Sequence, residues 1–194
     1  MIGRQILKYP PEVEISLQDF KPTKSYPYCK QAVVVKGPRG TLRQALEPFI
    51  RVDFLPFVEG SPKRQVQFSV TDPKDKRMRA MWGTIRQLVN NMVEGVTEGF
   101  TVPLRFQGVG YRAVDEKNKV GLKLGYSHDV AVRIPRGVKV QYPAPTRLIL
   151  QGNDKQVLTQ FAALIRSWKV PEPYNQKGIF VGDETIKKKE GKKR

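Results

Sequence analysis

The sequence predicts an α+β fold of two similar duplicated domains, each an antiparallel sheet packed on one helix, with a basic C-terminal extension. Two long segments carry apolar residues at three- and four-residue steps, which predicts two helices. Short segments bounded by Gly, Pro or Asn predict strands. An internal repeat indicates the duplication, because a strand, a polar turn and a helix recur at an offset of 80 residues, from Ile85-Arg86 to Ile165-Arg166.

The first half of the chain begins with a proline-rich segment, residues 1–31, that predicts an extended arm with one strand at Glu12–Leu17. The segment QAVVVKGPRGTLRQAL predicts a hairpin whose turn is Gly37–Gly40. Alternation predicts a further strand at Gln65–Val70. The longest apolar periodicity then predicts a helix from Asp75 to about Gly99.

The second half returns to strand patterns between Phe100 and Gly152, each bounded by turn residues. A second helix is predicted at Asp154–Trp168, with Asn153 as its N-cap. Two prolines lie just beyond its end, where a helix cannot continue. These limits divide the chain into an arm at residues 1–31, a first domain at 32–99, a second domain at 100–170 and an extension at 171–194.

The charge balance points to a polyanionic partner. The chain holds 35 Lys and Arg against 18 Asp and Glu, so its formal net charge is 35 − 18 = +17. A field of this size favours nucleic acid over an anionic membrane surface. No apolar run approaches the roughly 20 residues that span a bilayer. The N-terminal segment, with its prolines and glutamates, predicts neither a secretory signal nor a transit peptide.

Residues suited to catalysis or metal binding are scarce, so we predict no catalytic residue and no metal site. His128 is the one histidine and Cys29 the one cysteine, whereas zinc needs about four N or S ligands. A single cysteine also excludes an internal disulfide and fits a reducing compartment. Ser127-His128-Asp129 holds the residue types of a catalytic triad, but neighbouring strand residues point to opposite faces and cannot converge. We interpret this segment as a loop in which His128 contacts phosphate or a 2′-hydroxyl.

The segment GVGYRA, Gly108–Ala113, matches the glycine spacing of a dinucleotide-binding fingerprint. That fingerprint needs a helix that opens on the glycines, and a turn followed by a strand pattern stands there instead. We therefore predict no cofactor and interpret the glycines as allowing a bulge or close backbone packing.

Cations alternate with aromatic residues on neighbouring strands of the second domain, a pattern typical of surfaces that stack unpaired bases and bind phosphates. Beyond the second helix, Pro171 and Pro173 stiffen a segment that presents a tyrosine and a lysine before the basic tail IKKKEGKKR. The alternative is core aromatics among solvated charges, with a solvated disordered tail. The predicted RNA-binding residues are Arg105, Tyr111, Arg112, Lys123, Tyr126, His128, Tyr174, Lys177, Gly178, Lys187, Lys188, Lys189, Lys192, Lys193 and Arg194.

Six sequence blocks occur along the chain in a fixed order: VKGPRG (Val35–Gly40), NNMVEGVTEGF (Asn90–Phe100), GVGYRA, LGYSH (Leu124–His128), GNDKQ (Gly152–Gln156) and PEPYNQKGI (Pro171–Ile179). Together they resemble the bacterial-type family of large-ribosomal-subunit protein six, from about Ile2 to the C-terminus. Near the C-terminus, Pro173, Tyr174, Lys177, Gly178 and Ile179 match the family signature, whereas Asn175-Gln176 replaces its usual Lys-Gly.

The resemblance implies a duplicated two-domain α+β fold and a non-enzymatic role. It further implies binding to large-subunit rRNA near the sarcin–ricin loop and the base of the factor-binding stalk, mostly through the second domain and the extension. Neighbouring ribosomal proteins and nearby translation factors would be the other partners, with no membrane and no small-molecule substrate. The altered signature and the high charge favour a mitochondrial member, in the ribosome of the mitochondrial matrix, and the bacterial cytoplasm stays the alternative.

The residues are also compatible with two other functions. One is a non-ribosomal RNA-binding regulator or RNA chaperone, which would use the same charge and aromatic pattern. The other is a small nucleotide-dependent enzyme that uses GVGYRA. Tight association with large subunits in high salt would separate the structural role from the first alternative, and retention on a dinucleotide column would be needed to support the second.

Overall fold

The computed structural model describes residues 2–24, 26–56 and 63–191, and it divides into two compact units, Met1–Gly99 and Phe100–Arg194. Within these described ranges, each unit contains one long helix and two antiparallel sheets. The predicted duplicated α+β fold is therefore confirmed.

The first unit includes a short 3-10 helix, Ile2–Arg4, and its described residues form six strands and one α-helix. Its sheets have the orders β1-β6-β5 and β2-β3-β4. These elements are β1 (Leu7–Tyr9), β2 (Glu14–Asp19), β3 (Gln31–Gly37), β4 (Gly40–Leu46), β5 (Ile50–Leu55), β6 (Arg64–Val70) and α1 (Lys76–Thr97). Two strands thus lie in the segment interpreted as an arm, and the second, Glu14–Asp19, overlaps the one predicted there.

Helix α1 forms where the apolar periodicity predicted it. The Asp75 side chain caps its N-terminus by accepting a hydrogen bond of 2.8 Å from the backbone N–H of Arg77. Its apolar face, which includes Ile85, Val89 and Val96, is buried against both sheets. Trp82 is also buried, and its indole N–H donates to the Phe68 carbonyl at 2.7 Å, so its one polar atom is satisfied.

The described part of the second unit forms seven strands and one helix. Its sheets have the orders β11-β12-β7-β13 and β10-β9-β8. The elements are β7 (Phe100–Gln107), β8 (Arg112–Glu116), β9 (Lys119–Lys123), β10 (Val130–Arg133), β11 (Val138–Ala144), β12 (Arg147–Gly152), α2 (Lys155–Ser167) and β13 (Gly178–Val181). The final strand lies in the predicted extension and pairs with β7.

Helix α2 begins one residue later than the predicted cap implies. The N-cap is Asp154, because its carboxylate accepts hydrogen bonds from the backbone N–H groups of Gln156 at 2.9 Å and Val157 at 3.4 Å. The prediction of Asn153 as the cap was therefore wrong. Leu158 and Ile165 lie on the buried face of the helix, which packs on the four-stranded sheet.

The repeat extends further than the overlay of sequences indicated. The sheet order β1-β6-β5 corresponds to β7-β12-β11, and β2-β3-β4 corresponds to β8-β9-β10. In both units the strand that precedes the helix lies between its two neighbours. The strands β1 and β2 are therefore the counterparts of β7 and β8, and β13 is the one strand that the second unit adds among the described residues.

Candidate nucleic-acid interface

A lysine and three aromatic side chains come together in the second unit. The Lys169 ammonium lies 5.3 Å from the ring centre of Tyr126 and 6.0 Å from that of Tyr111. The rings of Tyr126 and His128 stack with centres 5.5 Å apart and an interplanar angle of 24°. We call these four residues the aromatic cluster. A cation held over ring faces by their quadrupole is stabilised there while it keeps its charge.

Backbone geometry places the two tyrosines of the aromatic cluster. Tyr111 follows the Gly108–Gly110 turn after β7, and Gly108 has φ +151°. A Cβ at Gly108 would lie 2.7 Å from the Tyr111 ring, so only glycine fits there. Tyr126 donates its hydroxyl proton to the Trp168 carbonyl at 2.5 Å, which joins it to the end of α2. The glycines of GVGYRA thus allow close packing, and a strand, β8, follows them.

The aromatic cluster has the chemistry of a stacking platform for unpaired bases. Tyr126 is 42% exposed and His128 is exposed, so part of each side chain is accessible to a ligand. Base–aromatic stacking contributes about 1–3 kcal/mol per base. The Lys169 charge beside the rings is placed to meet a phosphate of the same strand.

Two other predicted residues, Arg112 and Lys123, lie directly opposite each other on β8 and β9. Lys123 forms an ion pair with Asp129, and the hydrogen bond from Lys123 holds the pKa of that carboxyl below its ordinary value. Part of the Lys123 charge is therefore compensated within the chain, while Arg112 is exposed. With Asp129 paired to Lys123 and His128 stacked on Tyr126, no hydrogen bond joins Ser127, His128 and Asp129 among the described residues.

Arg105 forms no hydrogen bond, ion pair or cation–π contact with the aromatic cluster in the part of the chain that the structure describes. Its guanidinium donates to the Glu184 carbonyl at 3.3 Å and lies 5.7 Å from the centre of the Phe180 ring. The sequence pattern that grouped Arg105 with Tyr111 and Tyr126 therefore joined two separate surfaces of one unit.

Residues 171–177, which we call the strap, connect α2 to β13. The Glu172 N–H donates to the Lys177 carbonyl at 3.1 Å and closes the strap into a loop. Tyr174 is 54% exposed at its tip, and Lys177 is exposed as well. Gly178 is buried, and a Cβ there would lie 2.5 Å from the Pro171 Cα. The close backbone approach at Gly178 is thus to the chain itself.

The tail that follows β13 is fixed at its root. The Arg166 guanidinium binds the Glu184 carboxylate through two hydrogen bonds, of 2.8 Å and 2.5 Å. The Gln176 amide donates to the Ile186 carbonyl at 3.0 Å, and the Lys189 N–H donates to the Pro173 carbonyl at 3.0 Å. These contacts hold the tail against the strap and α2.

The basic residues of the tail are only partly within the described chain. Lys187, Lys188 and Lys189 are exposed, and no carboxylate pairs with them among the described residues. Lys192, Lys193 and Arg194 lie outside the described residues. The three described lysines are thus open to a phosphate backbone.

Sequence reasoning missed Lys169, Arg147 and the Arg166–Glu184 pair. A basic residue just after a helix is a common helix-end signal, so Lys169 could have been marked, although not as a neighbour of Tyr126. Arg147 becomes notable only through its cross-strand partner Arg105. The ion pair joins residues 18 apart in sequence, and no local pattern indicates it.

Neither a metal site nor a membrane span stands out in the described chain. No group of three or more His, Cys, Asp or Glu side chains there could hold a metal ion. No helix among the same residues is both long and apolar enough to cross a bilayer.

A basic surface with exposed aromatic side chains is typical of proteins that bind RNA. Comparison with known proteins identifies the protein family. The family model described as Ribosomal protein L6 matches residues 9–99 and 107–182, and the chain belongs to this family of structural ribosomal proteins. The family is not a class of enzymes.

Individual relatives align along most or nearly all of the chain. The large ribosomal subunit protein uL6m of Neurospora crassa is 40% identical over 98% of this chain and 78% of its own length. The large ribosomal subunit protein uL6 of Fervidobacterium nodosum is 40% identical over 99% of this chain and 98% of its own. The uL6 of Exiguobacterium sibiricum is 44% identical over 82% and 85%. Mitochondrial and bacterial relatives are thus similar to a comparable degree.

Proposed function

We propose that this chain is a structural component of the large ribosomal subunit and binds its rRNA without catalytic turnover. The observation that carries the proposal is the aromatic cluster, in which one lysine lies over two tyrosine rings in a chain of the L6 family. Such a surface suits unpaired bases and their phosphates. Relatives named as large-subunit proteins align over nearly its whole length, which supports the choice of subunit.

The proposed contacts lie mainly in the second unit. The aromatic cluster, Arg112, the strap and the basic tail would bind rRNA near the sarcin–ricin loop and the base of the factor-binding stalk. Neighbouring ribosomal proteins are its other partners, and translation factors act nearby. Chemical footprinting of that rRNA region in subunits with and without the protein tests the location, and protections confined to distant helices would contradict it.

The proposed compartment is the mitochondrial matrix. The alignment with a mitochondrial relative over 98% of the chain supports this choice, and the bacterial relatives make the bacterial cytoplasm the alternative. Mass spectrometry of purified mitochondrial and cytosolic ribosomes from the source organism decides between compartments. Its absence from mitochondrial large subunits would overturn the assignment.

Removing residues 187–194 tests the role of the tail. The segment carries six basic residues. Each neutralised phosphate contributes roughly 0.7–0.9 to the slope of log K against log salt, so the slope should fall by up to about five units. The measurement is filter binding of the full and shortened chains to deproteinised large-subunit rRNA over a range of salt. An unchanged slope would show that the tail does not bind phosphate.

The aromatic cluster is tested by Tyr126→Leu, with Tyr28→Leu as the matched control. Tyr28 is 74% exposed and lies in the first unit. The loss of one stacked base should weaken rRNA binding roughly tenfold, whereas the control should bind as the unchanged protein does. Equal affinities for both variants would remove the aromatic cluster from the interface. Release of the unchanged protein from large subunits at moderate salt would instead favour a free RNA-binding regulator.

A further inference from the structure

A groove of about 580 Å³ lies on the four-stranded sheet of the second unit, separate from the aromatic cluster. Its lining combines two arginines with apolar side chains and the turn that follows β13. The main lining residues are Pro103, Arg105, Pro143, Arg147, Ile149 and Thr185. None of them belongs to the aromatic cluster, so the groove is a second surface.

Strand alternation explains why the arginines face outward. Leu104 and Leu148 are buried in the core that α2 covers, whereas their neighbours Arg105 and Arg147 are exposed. The outward side chains of the strands on this sheet face contain no acidic residue, and Asp183, in the turn after β13, is the one acidic residue among the described residues that lines the groove. The outward side chains are Thr101, Pro103, Arg105, Gln107, Lys139, Gln141, Pro143, Arg147, Ile149, Gln151 and Phe180.

Arg105 and Arg147 are directly opposite each other on β7 and β12. Like charges in this position repel, because their Cβ atoms lie only about 5 Å apart. Phe180 and the Glu184 carbonyl hold the Arg105 guanidinium in place. Arg147 forms no hydrogen bond or ion pair with any residue that the structure describes. Neither arginine of the pair thus has a carboxylate within ion-pairing distance among the described residues.

We propose that Arg105 and Arg147 together hold one phosphate group of the rRNA backbone. Guanidinium groups bind phosphate through paired, charge-assisted hydrogen bonds, and two side by side surround a single tetrahedral anion. The amides of Gln141 and Gln151, on the same face, suit sugar hydroxyls. An acidic protein segment is the competing ligand, and the +17 charge and the amide-rich face favour RNA. This inference rests on the proposed function, since it assigns a further contact to the same rRNA.

The test compares Arg147→Gln, Arg105→Gln and the double variant, with Arg136→Gln as the matched control. Arg136 is exposed in the turn between β10 and β11 and does not line the groove. Binding of each full-length chain to deproteinised large-subunit rRNA is measured over a range of salt. Loss of one phosphate contact lowers the slope of log K by about 0.9, which makes binding about eightfold weaker at 0.1 M salt relative to 1 M.

The double variant distinguishes one shared phosphate from two separate ones. A shared phosphate predicts a slope reduced by clearly less than about 0.9 in each single variant, because the remaining arginine still neutralises it, and by about 0.9 in the double variant. Reductions that add to about 1.8 would refute sharing. Asp183→Asn should strengthen binding, because Asp183 lines the groove and its charge opposes a phosphate.

Two further outcomes separate this inference from the proposed function. If the unchanged protein binds rRNA and the double variant matches Arg136→Gln, the groove does not hold phosphate. A photo-crosslinker at position 147 that then labels a protein in assembled subunits would assign the groove to an acidic protein segment. If the unchanged protein fails to bind, the proposed function fails first. Thermal unfolding without RNA should leave Arg147→Gln at least as stable as the unchanged protein, since repulsion is relieved.

Discussion

The Glu184→Gln substitution should loosen the root of the basic tail and destabilise the second unit. The carboxylate accepts two hydrogen bonds from Arg166, and the two side chains are 27% and 31% exposed. An amide can accept only one of those bonds and turns a donor toward the guanidinium. Charge-assisted bonds contribute about 1.5–3 kcal/mol when buried, so partial exposure leaves an expected loss of about 1–2 kcal/mol in unfolding free energy.

The unfolding free energy lost on Glu184→Gln should become smaller as the pH is lowered into the acid range. The hydrogen bond from Arg166 lowers the pKa of Glu184, so the unfolded chain takes up this proton at a higher pH than the folded one. The stabilisation is therefore complete above the ordinary glutamate pKa of about 4.3, and it disappears as pH falls through the lowered folded value. The unchanged protein and the variant should converge in acid.

Urea unfolding gives the measurement. Tryptophan fluorescence in a Trp82→Phe background reports the second unit through Trp168, since the chain has two tryptophans. Glu172→Gln is the matched control, because Glu172 is exposed and its side chain has no partner among the described residues. A double-mutant cycle with Arg166→Met isolates the pair. A loss no larger than that of Glu172→Gln, or a coupling near zero, would refute the anchoring role.

Three further predictions concern packing. Gly178→Ala should destabilise the second unit by about 3 kcal/mol or more, since φ is +153° and the new Cβ would meet the main chain of Pro171. Gly110→Ala, where a Cβ has open space, should cost only about 1–2 kcal/mol of backbone strain, and urea unfolding of the two variants compares these losses. Tyr142→Phe should raise the free energy of unfolding by about 1 kcal/mol, because the buried Tyr142 hydroxyl has no hydrogen-bond partner among the described residues. Burial also raises the pKa of Tyr142 to about 12, so above about pH 10 the tyrosine ionises in the unfolded chain before it does in the folded one. The stability advantage of the Phe variant should therefore grow above that pH. Trp82→Phe should lower the melting temperature of the first unit, because the Phe68 carbonyl loses its 2.7 Å donor; an unchanged transition would contradict that role.

The helices were predictable because their signals are local. Apolar periodicity placed α1 and α2 within two residues of their observed limits, and Asp75 lies at the predicted start of α1. The cap of α2 was misplaced since Asn153 and Asp154 are both good caps. Only the backbone conformation, extended at Asp154, decides between them.

The short strands near the N-terminus were harder to predict from the sequence. Leu7–Tyr9 spans three residues beside two prolines, too short for alternation to be recognised. Its place is set by pairing with β6, more than 50 residues along the chain. The aromatic cluster was found in part, because Tyr126 and His128 are neighbours in sequence, whereas Lys169 reaches them only through the packing of α2.

Because of the last strand, β13, the two units complete their folds at different stages of synthesis. All elements of the first unit precede Phe100, so it can fold while the rest of the chain is still being made. In the second unit, β7 leaves the exit tunnel early but must wait for Gly178–Val181, near the very end, before its free edge is covered. A nascent chain stalled before that strand would leave the backbone N–H and C=O groups on one edge of β7 unpaired, so premature termination would favour aggregation through this edge.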